Sequence, residues 1–178
     1  MDKDYAKIIG AHGLRRNRDF YPTPPECTQA LINFLENEGI TIGRVWECAS
    51  GDGHIVRVLE QNRYDVIASD IITGTDFLSA KIPEGGADFI ITNPPFVLAE
   101  QFIRKAMSFN IPFAFLLKSQ FWHAGKRYPL FVERPPSYVL PLTWRPDFCG
   151  GGNSMIDCIW TVWLLREGPT IYKPLQKA

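Results

Sequence analysis

Short apolar runs alternate with amphipathic stretches along most of this chain, and the alternation predicts strands and helices in turn. Thr23 with Glu26 three residues on makes a capping box, and proline suits a first helical turn, so a helix is expected from about Pro24 to Glu38, closing at Gly39. Val45 to Ala49 and Tyr64 to Ser69 read as strands on either side of a helix that follows Ser50-Gly51-Asp52-Gly53-His54 and ends near Asn62. Phe89-Ile90-Ile91-Thr92 is apolar enough for a strand buried on both faces. Phe102, Ile103 and Met107 then recur at helical spacing between Val97 and Phe109, Pro112 interrupts, and Phe113 to Leu117 is again a strand. Lys118 to Val132 predicts a broken helix and loop, Ser137 to Leu142 a strand, and Ile156 to Arg166 a long apolar strand. Residues 1–19 read as an irregular basic arm. Residues 167–178, with Pro169 and Pro174, read as an extension without a core of its own, which leaves a single α/β domain over residues 20–166.

The pattern changes most sharply after Thr92, where Asn93-Pro94-Pro95-Phe96 follows. A residue before proline is biased toward extended backbone, and prolines end a sheet ladder, so a strand delivers Asn93 to a sheet edge. In open α/β sheets the carboxyl edge is where ligands bind. The chemistry that suits this stretch is attack by a planar amino group, whose lone pair is delocalised and therefore unreactive. Two carbonyl acceptors, the Asn93 side chain and the main-chain oxygen of Pro94, would take both amino protons and let the nitrogen pyramidalise. Losing one such fixed partner costs roughly 3 kcal/mol of barrier. Phe96 would stack on a flat substrate, at about 1–3 kcal/mol per base. The competing reading is a plain strand-ending turn.

Composition narrows the classes. A chain of 178 residues with 46% hydrophobic content holds one sizeable core. Its 19 basic and 19 acidic residues balance, so any polyanion site is a local patch. Cys27, Cys48, Cys149 and Cys158 form no Cys-x-x-Cys pair and have no His at zinc spacing, which predicts core thiols, no metal and a reducing, cytoplasmic setting. No apolar run approaches a membrane span, and the first twenty residues lack a signal-peptide core. Lys3, Lys7, Arg15, Arg16 and Arg18 are either a solvated tail or a phosphate-contacting arm.

The turn after Val45 to Ala49 decides which cofactor fits. A dinucleotide fingerprint would want glycine where Val56 stands, Asp52 would repel a pyrophosphate, and no glycine-lysine phosphate loop is present. Glu47 and Asp52 instead suit a cationic ligand bearing an ammonium and a sulfonium, which favours S-adenosylmethionine over NAD or ATP. Asp70, at the end of the second strand, is placed to accept from both ribose hydroxyls. Asp76 and Phe77 could meet an adenine amino group and ring.

Tyr21-Pro22-Thr23-Pro24-Pro25, Glu47-Cys48-Ala49-Ser50-Gly51-Asp52-Gly53, Asp70, Asp76-Phe77 and Asn93-Pro94-Pro95-Phe96, in this order, resemble class I S-adenosylmethionine-dependent adenine amino-methyltransferases. The resemblance is greatest to small phage or prophage DNA adenine methyltransferases and spans about residues 20–165. It implies a Rossmann-like domain whose sheet has seven strands, mostly parallel, with an antiparallel hairpin at its C-terminal end. It also implies roles by position. Thr23, Glu47, Ala49, Ser50 and Gly51 would surround the methionine part of the cofactor, Asp70 its ribose, and Asp76 and Phe77 its adenine, with Tyr21 and Ile71 as further cofactor contacts. Asn93 would stand between cofactor and target, with Pro94, Pro95 and Phe96 completing the catalytic stretch. Phe96 replaces the tyrosine of many relatives, keeping the ring without the hydroxyl.

The second half offers substrate contacts. The loop inside the final hairpin would reach over the target, with Phe148, more than Trp144, as a second wall around an extruded base. Lys126 and Arg127 are candidate phosphate contacts, and the Phe20-Tyr21 pair a lid. The expected activity is methylation of adenine in DNA. Adenine in RNA, a protein glutamine amide, and an inactive cofactor-binding subunit remain alternatives, and a homodimer is compatible with the small size.

Overall fold

A computed structural model describes residues 22–152 and 156–178. The basic arm and the Phe20-Tyr21 lid, including Tyr21 as a cofactor contact, lie outside these residues. The elements are α1 (Pro25–Asn37), β1 (Val45–Glu47), α2 (His54–Gln61), β2 (Val66–Ala68), β3 (Phe89–Thr92), α3 (Ala99–Phe109), β4 (Phe113–Lys118), α4 (Tyr128–Glu133), β5 (Tyr138–Pro141), β6 (Cys158–Trp163) and β7 (Ile171–Tyr172). The strands form one sheet in the order β2-β1-β3-β4-β6-β5-β7. Strands β1 to β4 run parallel to one another, and β6 is antiparallel to both β4 and β5. The α/β architecture with an antiparallel β5–β6 pair is the one expected.

Side chains alternate across the central strands with period two, and each face of the sheet is covered by helices. Val45, Phe89, Ile91, Ala114 and Leu116 point into a cluster with Leu31, Leu35, Val58 and Leu59 of α1 and α2. Trp46, Ile90, Phe113, Phe115 and Leu117 point the other way, against Phe102, Ile103 and Ala106 of α3. Continuous apolar runs are therefore the correct signature for β3 and β4, whose residues are buried on both faces.

Two expectations change. The capping box at the start of α1 does not form: Pro24 is the N-cap, Pro25 the first helical residue, and no side chain caps the helix. Proline has no N–H at that first position, so less capping is required. Thr23 is thereby released for another partner, and Glu26 lies 3.2 Å from Lys177. The second change is at the C-terminus. The seventh strand comes from the segment read as an extension: β7 pairs in parallel with β5, Leu175 is buried in the first cluster, and its N–H donates to Pro141 O at 2.8 Å. β7 is only Ile171 and Tyr172, both exposed, too short a run for periodicity to mark a strand.

Candidate active site

β1 is flanked by β2 on one side and β3 on the other, so the chain reverses its winding direction between β1 and β3. Ligands bind at such a switch point, outside the carboxyl ends of the strands. Glu47 closes β1 at this point, Asp70 follows β2, Asn93 follows β3, and β4 ends in Lys118.

The glycine turn is built on backbone that side chains disfavour. Gly51 has φ +49° and Gly53 φ +76°, and Gly53 leads directly into α2. Asp70 ties this turn to β2: one carboxylate oxygen accepts from Gly51 N–H at 2.9 Å, the other from Ile72 N–H at 2.8 Å. Ser50 N–H donates to Ser69 O at 3.0 Å. Asp70 is buried, and Ala49, Ser50, Gly51 and Ile71 around it are half-buried. Asp76 accepts from Leu78 N–H at 3.0 Å, turning its loop.

Glu47 is buried, and its Oε1 accepts from Ala49 N–H at 3.0 Å and from the Thr92 hydroxyl. Burial pushes its carboxyl up to about 8. The two hydrogen bonds oppose the rise and the charge of Asp70 adds to it. Thr92 is fully buried and adjacent to Asn93, so one carboxylate joins the glycine turn to the end of β3. The Asn93 Nδ2 donates to Thr23 Oγ1 at 3.1 Å, and Thr23 is itself buried just before α1. Thr23, Asn93, Thr92, Glu47 and Ala49 thus form a continuous polar row along the sheet edge. Pro94 is buried, while Pro95 and Phe96 are half-buried, and Leu98 N–H donates to Pro95 O at 2.8 Å in a single 3₁₀ turn.

Several expected contacts are placed differently. The Phe77 ring is buried against Trp46, Phe102 and Phe109, with centroids 5.1, 4.8 and 5.8 Å away, so it anchors the Asp76 loop and offers no face to a ligand. Phe148 is buried in the first core cluster, and half-buried Trp144 packs against the same cluster. Phe148 therefore does not stand as an exposed wall, while Trp144 keeps part of its surface open. The turn in this loop after β5 is held by Asp147, which accepts from Gly152 N–H at 2.7 Å and Cys149 N–H at 3.2 Å. Arg127 donates to Phe121 O at 2.9 Å, lies over the Phe121 ring at 4.1 Å and sits 3.6 Å from Glu100. It holds the segment before α4 rather than reaching outward, whereas Lys126 is exposed. Sequence reasoning missed Thr92 and Lys118. A hydroxyl ending an apolar strand was the available signal for Thr92, and nothing local marked Lys118.

No protein-family model and no curated protein matches this chain. Solved structures do. A class I S-adenosylmethionine-dependent methyltransferase, as described, from Listeria monocytogenes aligns over 97% of this chain and 71% of its own, at TM-score 0.59 and 11% identity. A modification subunit of a type I restriction enzyme, as described, from Vibrio vulnificus aligns at TM-score 0.57 and 14% identity over 96% of this chain. The fold is that of the class I methyltransferases. This chain spans 50% of the Vibrio subunit's length. An RNA methyltransferase, as described, from Pyrococcus horikoshii aligns at TM-score 0.54 over 82% of this chain and 87% of its own, with 14% identity. Among the described residues no helix is long and apolar enough to cross a membrane.

Proposed function

We propose that this protein transfers a methyl group from S-adenosylmethionine to the exocyclic amine of adenine, with DNA as the polymer. The residues at the switch point fit that cofactor. A glycine turn leaves room for its backbone-hugging methionine part, Glu47 offers a buried carboxyl whose ionisation a bound cation would favour, and Asp70 and Asp76 offer acceptors to hydroxyl and amino groups. When bound, the cofactor supplies an electrophilic methyl carried on a sulfonium.

The observation that supports the reading is the fixed orientation of Asn93. Its Nδ2 end donates to buried Thr23, which holds the amide at the end of β3, next to Thr92 and its link through Glu47 to the glycine turn. Asn93 Oδ1 and the main-chain oxygen of Pro94 accept the two amino hydrogens of adenine, restoring the nitrogen lone pair. With the cofactor held at the glycine turn, that lone pair would be free to take the methyl, the leaving thioether would keep the carbon–sulfur electrons, and the surplus amine proton would pass to water. Phe96 stacks on the base, which has left its duplex neighbours at a cost of a few kcal/mol. Positioning the amine in line with the methyl supplies much of the acceleration.

The restriction-modification and RNA-methyltransferase neighbours favour a nucleic acid over a protein amide as substrate. Labelled methyl groups offered with DNA, RNA and glutamine-containing protein side by side test this. Label in DNA adenine is expected, while label confined to RNA or to protein replaces the polymer and leaves the amine chemistry standing.

A further inference from the structure

Lys118 ends β4 on the same sheet edge as Asn93, and its Nζ lies 4.2 Å from the centroid of the Phe96 ring. Both residues are half-buried and both stand on fixed backbone. Lys118 pairs in register with Cys158 of β6, and the next residue, Ser119, donates its N–H to Asp157 O at 2.9 Å. Phe96 opens the 3₁₀ turn whose following residues, Leu98 and Ala99, are buried in the second core cluster. The two side chains therefore meet from anchored positions, Lys118 at the end of β4 and Phe96 in the turn after β3, beside the candidate site.

We propose that Lys118 is a positioning residue for the Phe96 ring and biases the site toward a nucleobase in a polyanion over a side-chain amide. The proposal rests on the amine-methylation reading. A phenyl ring has no hydroxyl to fix its plane, and an ammonium held over its face favours one plane through the ring quadrupole. A base stacked on a ring polarised in this way gains from its own extended π-face, whereas an amide side chain has little such face to offer. In a chain with 19 basic and 19 acidic residues, a cation at this mouth also supplies local attraction for a phosphate backbone.

Lys118→Met keeps the aliphatic stem and removes the charge, and Lys118→Arg keeps a cation over the ring. Steady-state methylation of an adenine-containing oligonucleotide and calorimetric binding of S-adenosylmethionine are measured for both variants. Lys118→Met is expected to raise KM for the oligonucleotide about ten-fold, to move kcat much less, and to keep cofactor affinity. Lys118→Arg is expected to regain most of the loss. An unchanged KM in Lys118→Met, or no recovery in Lys118→Arg, overturns this proposal while leaving the adenine reading intact. Wild-type transfer to a glutamine peptide and to no oligonucleotide overturns both.

Discussion

Glu47 shows how a single buried carboxyl ties the glycine turn to the end of β3 and makes stability depend on pH. In an unfolded chain a glutamate loses its proton near pH 4.3, whereas in the folded protein burial holds this proton up to about 8. Its contribution to stability is therefore fully present below the unfolded value and declines as pH rises through that window. Glu47→Gln should match the wild type near pH 4.5 and gain stability on the order of a few kcal/mol by pH 8, read from urea melts at both values. An equal difference at both pH values would show that the carboxyl is not held protonated. Thr23 acts at the same scale, by holding the Asn93 amide through its hydroxyl. Thr23→Val should lower kcat about ten-fold with cofactor affinity nearly kept, and Thr23→Ser should recover it. A Thr23→Val enzyme with wild-type kcat would remove the hydroxyl from the account. The strand-end positions of Asn93, Glu47 and Asp70 were legible in the sequence because apolar runs end there in proline or glycine turns. Thr92 and Lys118 were not, since their partners Glu47 and Phe96 are distant in sequence or on another strand.

At the scale of elements, period and breakers located all but one strand, and the errors have physical causes. Short apolar runs between breakers found β1 to β6, with ends a few residues too generous where Tyr64 and Leu142 flank the paired segments. β7 escaped because an edge strand of two exposed residues carries no burial signal, only hydrogen bonds to β5. Phe77 and Phe148 were placed at the ligand because aromatic residues in polar loops suit both a site and an anchor, and burial decides for the anchor. The docked terminus contributes to stability through Leu175. Truncating it in Leu175→Ala should cost about 2–3 kcal/mol in a denaturant melt. A loss under about 0.5 kcal/mol would mean that β7 merely rests on the sheet.

For the molecule as a whole, balanced charge leaves nucleic-acid affinity to local patches, which makes salt dependence informative. If Lys3, Lys7, Arg15, Arg16 and Arg18 contact phosphates, deleting residues 1–19 should flatten the slope of log affinity against log salt by about two to four. An unchanged slope would make this arm a bystander. The central claim is that a neutral amide at the end of β3 activates a planar amine toward a methyl donor at the neighbouring glycine turn. Single-turnover transfer by purified wild-type and Asn93→Ala protein, with cofactor affinity measured in parallel and the product nucleoside identified by mass spectrometry, tests it most directly. The account predicts N6-methyladenine from the wild type and a rate about 10²–10³-fold lower from Asn93→Ala, with S-adenosylmethionine still bound. Methylation by Asn93→Ala at the wild-type rate would contradict it.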